Sequence, residues 1–299
     1  MVNVKMWVKA LQVIPHVERD EWERLDVVSK WLISTRAAVL IMTFISAAIA
    51  GLLALRAGQF DVVRWLMLVI GLIFAHATNN LLNDLTDYSR GVDTDNYYRT
   101  QYGPQPLEQG LWSRKTHLLY AAVNGLIALA AGVYLVAVSG ILALWLLLAG
   151  AVFVLFYTYP LKYIGLGEIA VLLVWGPLMI GGGYYVITGQ WDWYVALASL
   201  AYALGPTTVI FGKHIDKLQQ DKEKGIRTLP VILGETRSRY VVLGMIALQY
   251  LSVITLVAVG YFSPVMLIVL LAWYYLPPVI RVFSQPRPTD TPQDARLAA

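Results

Sequence analysis

Cysteine is absent from the 299 residues, and histidine occurs four times. The first absence excludes disulfides, thiolate nucleophiles, iron–sulfur clusters and Cys-ligated zinc, and it leaves no redox signal of compartment. Charge is scarce as well: Asp, Glu, Lys and Arg make up 14% of the chain, whereas 58% is hydrophobic. A soluble domain carries roughly a quarter charged residues. What remains is hard-ligand chemistry carried by a chain with the composition of a polytopic membrane protein.

Residues 1–30 contain neither an uninterrupted apolar core nor a small-residue cleavage site, so they do not read as a secretory signal. Trp22, Leu25, Val28 and Trp31, with charges between them, predict an amphipathic helix lying at the membrane surface. Crossing the hydrocarbon takes about 20 apolar residues as a helix. Eight stretches qualify, at 31–55, 62–82, 116–137, 140–158, 167–187, 193–212, 240–260 and 263–283. The fold class is therefore all-α, with an interfacial segment at 1–30 and one transmembrane domain at 31–283. The tail at 284–299, rich in Pro, Asp, Thr and Gln, is expected to be disordered. Gly and Pro inside spans, as in Trp175-Gly176-Pro177, Gly181-Gly182-Gly183 and Gly205-Pro206, permit close helix approach and local breaks where a cavity is lined.

Of the 23 Lys and Arg residues, all but Arg36, Arg56 and Arg64 fall in segments that eight alternating spans place on one side. The positive-inside rule makes that side cytoplasmic. The net charge of +4 follows from this asymmetry and gives no reason to expect a nucleic-acid partner.

Two acidic stretches lie on the same cytoplasmic side, one after the second span and one after the sixth. In the first, Asn80, Asn83, Asp84 and Asp87 fall within an arc of about 100° on a helix, so their oxygens converge. Asp93 and Asp95 follow Gly91 in what reads as a loop able to fold back over them. In the second, Asp216 and Asp221 are five residues apart, about 140° on a regular helix. Either the helix is distorted there or Asp216 teams with Gln220 and Glu223. Carboxylates beside hydrocarbon are costly to keep charged, and a hard divalent cation with a phosphate ester would compensate them. The alternative for either cluster alone is a helix end whose Asn and Asp side chains cap backbone groups. Many of the nearby Lys and Arg side chains are accounted for by positive-inside anchoring. His214, with no second histidine near it, reads as an interfacial or hydrogen-bonded histidine rather than a metal ligand.

These residues resemble those of the UbiA-type intramembrane prenyltransferases. Asn83-Asp84-x-x-Asp87 followed by Arg90-Gly91-Val92-Asp93 is similar to the first acidic signature in the branch that prenylates 1,4-dihydroxy-2-naphthoate. The segment Gly103-Pro104-Gln105-Pro106-Leu107, ending in Gly110, also stands where that branch has a Gly-Pro stretch. The second signature, Asp-x-x-x-Asp before Gly-x-Arg-Thr-Leu, is similar to residues 216–229 with one extra residue between the two Asp. Tyr157 to Glu168 resembles the stretch between helices four and five, and Arg36 sits where family members carry an Arg early in the first helix. Family members have nine spans around a central cavity, one more than the eight read here.

The resemblance implies an integral membrane enzyme, expected in a prokaryotic cell membrane. It would move a prenyl group from a polyprenyl diphosphate to an aromatic acceptor, as in menaquinone biosynthesis. It implies Mg²⁺ held by Asn83, Asp84, Asp87, Asp93, Asp216 and Asp221. It also implies diphosphate held by Asn80, Asn83, Lys162, Arg227 and Arg36, with Asp87, Asp221 and Lys162 central to the chemistry. Trp175, Tyr184, Tyr185 and Tyr202 are candidates for aromatic cavity walls that shield a carbocation, although interfacial belts account for most of the Tyr and Trp in such a chain. From another class, an ion-coupled secondary transporter would also use acidic residues at broken helices, but its sites lie mid-span rather than at helix ends.

Overall fold

The computed structural model describes residues 2–92 and 105–287. Three short helices come first: α1 (Val4–Gln12), α2 (Arg19–Arg24) and α3 (Val27–Ser34). The long ones are α4 (Ala37–Arg56), α5 (Val62–Ser89), α6 (Arg114–Ser139), α8 (Gly167–Thr188), α9 (Trp193–Asp216), α12 (Glu235–Ala258) and α13 (Pro264–Ser284), all long and apolar enough to cross a membrane. Between them lie α7 (Ile141–Phe156), α10 (Leu218–Glu223) and α11 (Leu229–Leu233). Helix α7 occupies the expected fourth span but has 16 residues, about 24 Å of rise. The described residues contain no strand. The all-α membrane architecture expected from the hydrophobic runs is the architecture observed.

The chain divides into two compact units: Met1–Tyr159 with Gly182–Gln190, and Pro160–Gly181 with Trp191–Ala299. Each carries one of the acidic stretches.

The first unit corrects two expectations. The amphipathic pattern at residues 22–31 does not form one helix, because Leu25 is extended and Asp26 starts α3 as its N-cap. Trp22 is buried, packing edge-on against Trp112 at 5.5 Å. The Asp26 carboxylate accepts hydrogen bonds from the backbone N–H of Asn3, Val28 and Ser29, from the Ser29 hydroxyl and from Trp7 Nε1. Burial alone would raise its pKa, but the donors from Ser29, Trp7 and Asn3 together hold it well below the usual carboxylate range. The carboxylate therefore stabilises the segment above its unfolded pKa, and that contribution is lost as pH falls below about 4 toward the folded value. Hydrogen exchange over residues 2–30, taken relative to the intrinsic amide rate at each pH, should lose protection below about pH 4 in the native chain. In Asp26→Asn it should already be fast at neutral pH, with little further acid dependence.

The second correction concerns the first span, read as continuous over 31–55. It breaks at Arg36, whose φ of 55° and ψ of 55° are left-handed. Among the described residues no other non-glycine side chain has a positive φ. With the helix broken, Val39 N–H bonds to Arg36 O instead of Thr35 O. The carbonyl of Thr35 is taken by Asn80 Nδ2 at 2.8 Å. Elsewhere in this unit, buried polar groups fasten the spans. Trp31 Nε1 donates to Asn124, Thr43 pairs with His76 at 2.8 Å, and His117 Nε2 donates to Leu81 O at 2.8 Å. In an apolar surrounding, each such group left unpaired would cost about 1–3 kcal/mol. Tyr185, expected among the cavity walls, spends its hydroxyl on the freed carbonyl of Ser139 at the α6 terminus, at 2.5 Å.

In the second unit, residues 174–181 of α8 adopt the wider π register, which accommodates Pro177 inside the helix. Gly176 lets α8 approach α9 closely: a Cβ there would lie 2.9 Å from that of Ala203. Phe211, Ile215, Val242 and Phe283 form the unit's buried apolar cluster. The tail expected to be disordered from residue 284 is bonded in its described part. Arg287 N–H donates to Glu235, and its guanidinium donates to Asp216 O, each at 2.5 Å. Residues 288–299 lie outside the described ones.

Candidate active site

The second span continues through Ser89, seven residues past its expected end, so the first acidic stretch is helical. The 100° arc holds: Asn80, Asp84 and Asp87 are buried, at 8%, 2% and 0% exposure, and Asn83 is half-buried. Three asparagines reach sideways from the same stretch. Asn79 Nδ2 donates to Val154 O at 3.0 Å, Asn80 to Thr35 O, and Asn83 to Thr158 Oγ1 at 3.0 Å. Asp84 is ion-paired with the Arg36 guanidinium. The left-handed turn at Arg36 thus presents a cation to the acidic arc, at a backbone cost of about 1–3 kcal/mol. Arg90 lies over the Tyr159 ring, 3.6 Å from its centroid. Asp93, Asp95, Gly103 and Pro104 fall outside the described residues.

In the second unit the distorted-helix alternative is the one realised. Helix α9 ends at Asp216, Lys217 leaves helical geometry, and α10 starts at Leu218. Both Asp216 and Asp221 are buried, at 0% and 4% exposure. Glu223 is exposed and bonded to Gln219, so it does not team with Asp216. The Lys217 ammonium stands 4.0 Å from Asp221. A turn closed by Ile226 N–H on Asp221 O, with Gly225 at φ 71°, leads to Arg227, which is exposed between buried Ile226 and Thr228. Lys162 is 5% exposed in the 3₁₀ turn Leu161–Ile164, and Gly165 at φ 79° follows it.

Sequence reasoning did not give partners to Glu168 or His214. His214 is hydrogen-bonded, as expected, and its partner is Glu168: Nδ1 lies 2.5 Å from Glu168 Oε1. Glu168 stood in the quoted stretch without a role, and no local signal connects it to a residue 46 positions away.

Apolar helices long enough to cross a membrane, with buried carboxylates in the last turns of two of them, define a polytopic membrane protein. A family model described as the UbiA prenyltransferase family matches residues 43–297, so the chain belongs to that family and is a membrane-embedded prenyltransferase. It is 25% identical over 244 residues to the 1,4-dihydroxy-2-naphthoate octaprenyltransferase of Bacillus subtilis, covering 80% of this chain and 76% of that one. It is 30% identical to the digeranylgeranylglyceryl phosphate synthase of Thermococcus gammatolerans, covering 67% and 70%. A UbiA homolog from Archaeoglobus fulgidus, solved with GPP and Mg²⁺, has the same fold, with a TM-score of 0.64 at 16% identity over 89% of this chain and 93% of that one.

Proposed function

We propose that the chain transfers the prenyl group of a polyprenyl diphosphate to an aromatic acceptor of the 1,4-dihydroxy-2-naphthoate type, in the making of menaquinone or a related quinone. The observation that carries this reading is the burial of four carboxylates, each at most 4% exposed: Asp84, Asp87 and Asp216 in the last turns of apolar helices, and Asp221 in the short helix α10 that follows one. Such groups stay ionised when cations compensate them. The naphthoate enzymes among the relatives support the acceptor, as does the Asn83-Asp84-x-x-Asp87 spacing.

The donor set fits magnesium. Asp221 Oδ2, Gln220 Oε1 and Thr228 Oγ1 are buried oxygens that accept no hydrogen bond among the described residues. No group of three or more His, Asp or Glu side chains is arranged to hold a metal among those residues. Two carboxylates with substrate phosphates and water suit Mg²⁺, which keeps several waters and resists all-protein cages. Asn83, Asp84, Asp87 and Asp93 would hold one ion, and Asp216 and Asp221 the other. When bound, the metal supplies positive charge for the departing diphosphate. Within the second unit Lys162 and Arg227 would pair with phosphate oxygens, and within the first Arg36, on the turn that Asn80 fixes, offers the same kind of donor. The allylic C–O bond breaks with both electrons leaving on diphosphate, an acceptor ring carbon forms the new C–C bond, and the ring regains aromaticity by losing the group on that carbon, CO2 where it bears the carboxylate and a proton otherwise. Apolar helix faces keep water from the allylic cation. The excess of Lys and Arg near both sites supports a cytoplasmic location for them.

A second reading keeps the donor and changes the acceptor to a glyceryl phosphate ether, favoured by the 30% identity to the synthase above. Purified protein given radiolabelled geranylgeranyl diphosphate with dihydroxynaphthoate, 4-hydroxybenzoate, homogentisate or the glyceryl phosphate ether separates the two. Prenylated naphthoate formed with Mg²⁺ and lost in excess chelator is the expected result. Transfer to the ether alone would replace the aromatic acceptor, and transfer that persists in chelator would sink the metal mechanism.

A further inference from the structure

We propose that Glu168 and His214 form a strut that positions the second acidic site, a role resting on the prenyl-transfer reading for its kinetic consequence. Both side chains are buried, at 1% and 3% exposure. Glu168 lies in the first turn of α8, directly after the Lys162 turn, where the helix N-terminus favours a carboxylate. One carboxylate oxygen lies 2.5 Å from His214 Nδ1, and the other accepts the Leu229 backbone N–H at 3.3 Å. His214 is in the last turn of α9, two residues before Asp216, and Leu229 follows Arg227 and Thr228. A single carboxylate thus joins the three chain segments that carry Lys162, Asp216 and Arg227.

His214 is a positioning residue rather than a ligand. Two residues on a helix are about 200° apart, so the imidazole is turned away from the side on which Asp216 projects. Its influence on Asp216 passes through the backbone of α9. A separate contact shows that the joined segments have no slack. A Cβ on Gly165 would meet Ile232 Cδ1 at 2.4 Å and Arg227 O at 3.5 Å, so the Lys162 turn is seated directly on the Arg227 segment. A buried polar pair is a poor source of stability compared with an apolar one of the same shape. Fixing the relative placement of Lys162, Asp216 and Arg227 is something an apolar pair could not do, because it offers no acceptor to Leu229 N–H.

The test uses the full chain in nanodiscs with His214→Leu, His214→Asn and the isosteric Glu168→Gln. Asn can place a donor where Nδ1 lies, and Leu cannot. Without ligand, His214→Leu should speed hydrogen exchange over residues 226–233, and His214→Asn should restore protection. With geranylgeranyl diphosphate, His214→Leu should raise KM for the diphosphate and the half-saturating Mg²⁺ concentration about 10–100-fold, with kcat changed far less. His214→Asn should return both to within a few-fold of the native values. Unchanged exchange and unchanged KM in a folded His214→Leu or Glu168→Gln would overturn the strut. So would His214→Asn losing kcat at native KM, since that marks a chemical role for the ring. If His214→Leu does not fold, Glu168→Gln carries the test. If the native chain transfers nothing, the prenyl-transfer reading fails, while the exchange measurement still decides the strut.

Discussion

Asp87→Asn and Asp221→Asn are each expected to lower prenyl transfer by two to three orders of magnitude while leaving the protein folded. The magnitude is that of removing one preorganised electrostatic group from a site where charge develops. Asn keeps the shape of the side chain and removes the charge that would attract a cation, so packing around these buried positions is preserved. At Asp87, 0% exposed, and Asp221, 4% exposed, no bulk water stands ready to compensate for the lost charge. The loss should appear as a raised Mg²⁺ requirement, measured by titrating activity against free metal with unchanged elution and melting behaviour in detergent. Activity within tenfold of the native chain at ordinary Mg²⁺ would show that the acidic arcs are helix caps.

Arg36 should be the residue whose replacement most destabilises the first unit. Its guanidinium side chain is 21% exposed and its partner Asp84 only 3%, so truncation withdraws the cation from a nearly buried carboxylate. Breaking such a pair costs about 3 kcal/mol. Two substitutions separate the charge from the backbone. Arg36→Ala loses the pair and keeps a side chain in the left-handed region, whereas Arg36→Gly loses the pair and relieves the strain. Gly should therefore be the milder by about 1 kcal/mol in equilibrium unfolding, the reverse of their usual order in a helix. Ala proving the more stable would mean that Arg36 is not held left-handed.

The parts of the fold readable from the chain were those set by composition over long windows. Apolar runs announced every span, including the short fourth one, because length and hydropathy are properties of the run itself. The first acidic arc was equally legible, since Asn80, Asp84 and Asp87 share a face through helical geometry alone, whereas the angle of about 140° between Asp216 and Asp221 left two arrangements open. The break at Arg36 was not legible, because nothing near it is a helix breaker; it is held by Asn80 and Asp84, more than 40 residues away. The N-terminal misreading had a local cure. Asp26 followed by Ser29 is an N-cap with a donor three residues on, and weighing it against the apolar periodicity would have divided the helix. Glu168 with His214 had no local cure, since their meeting depends on how α8 packs against α9.

The interruption at Lys217 has a consequence for how such chains can diverge. An inserted residue in an unbroken helix turns everything beyond it by about 100° and would carry Asp221 to the opposite side. A helix that stops at Asp216 and begins again at Leu218 absorbs the insertion in the joint. Spacing between the two aspartates is then free to drift, while the distance from Asp221 to the Gly225 turn is tied by the bond from Ile226 to Asp221. A pattern search that fixes the first interval would pass over members of this group that a search anchored on the second would recover.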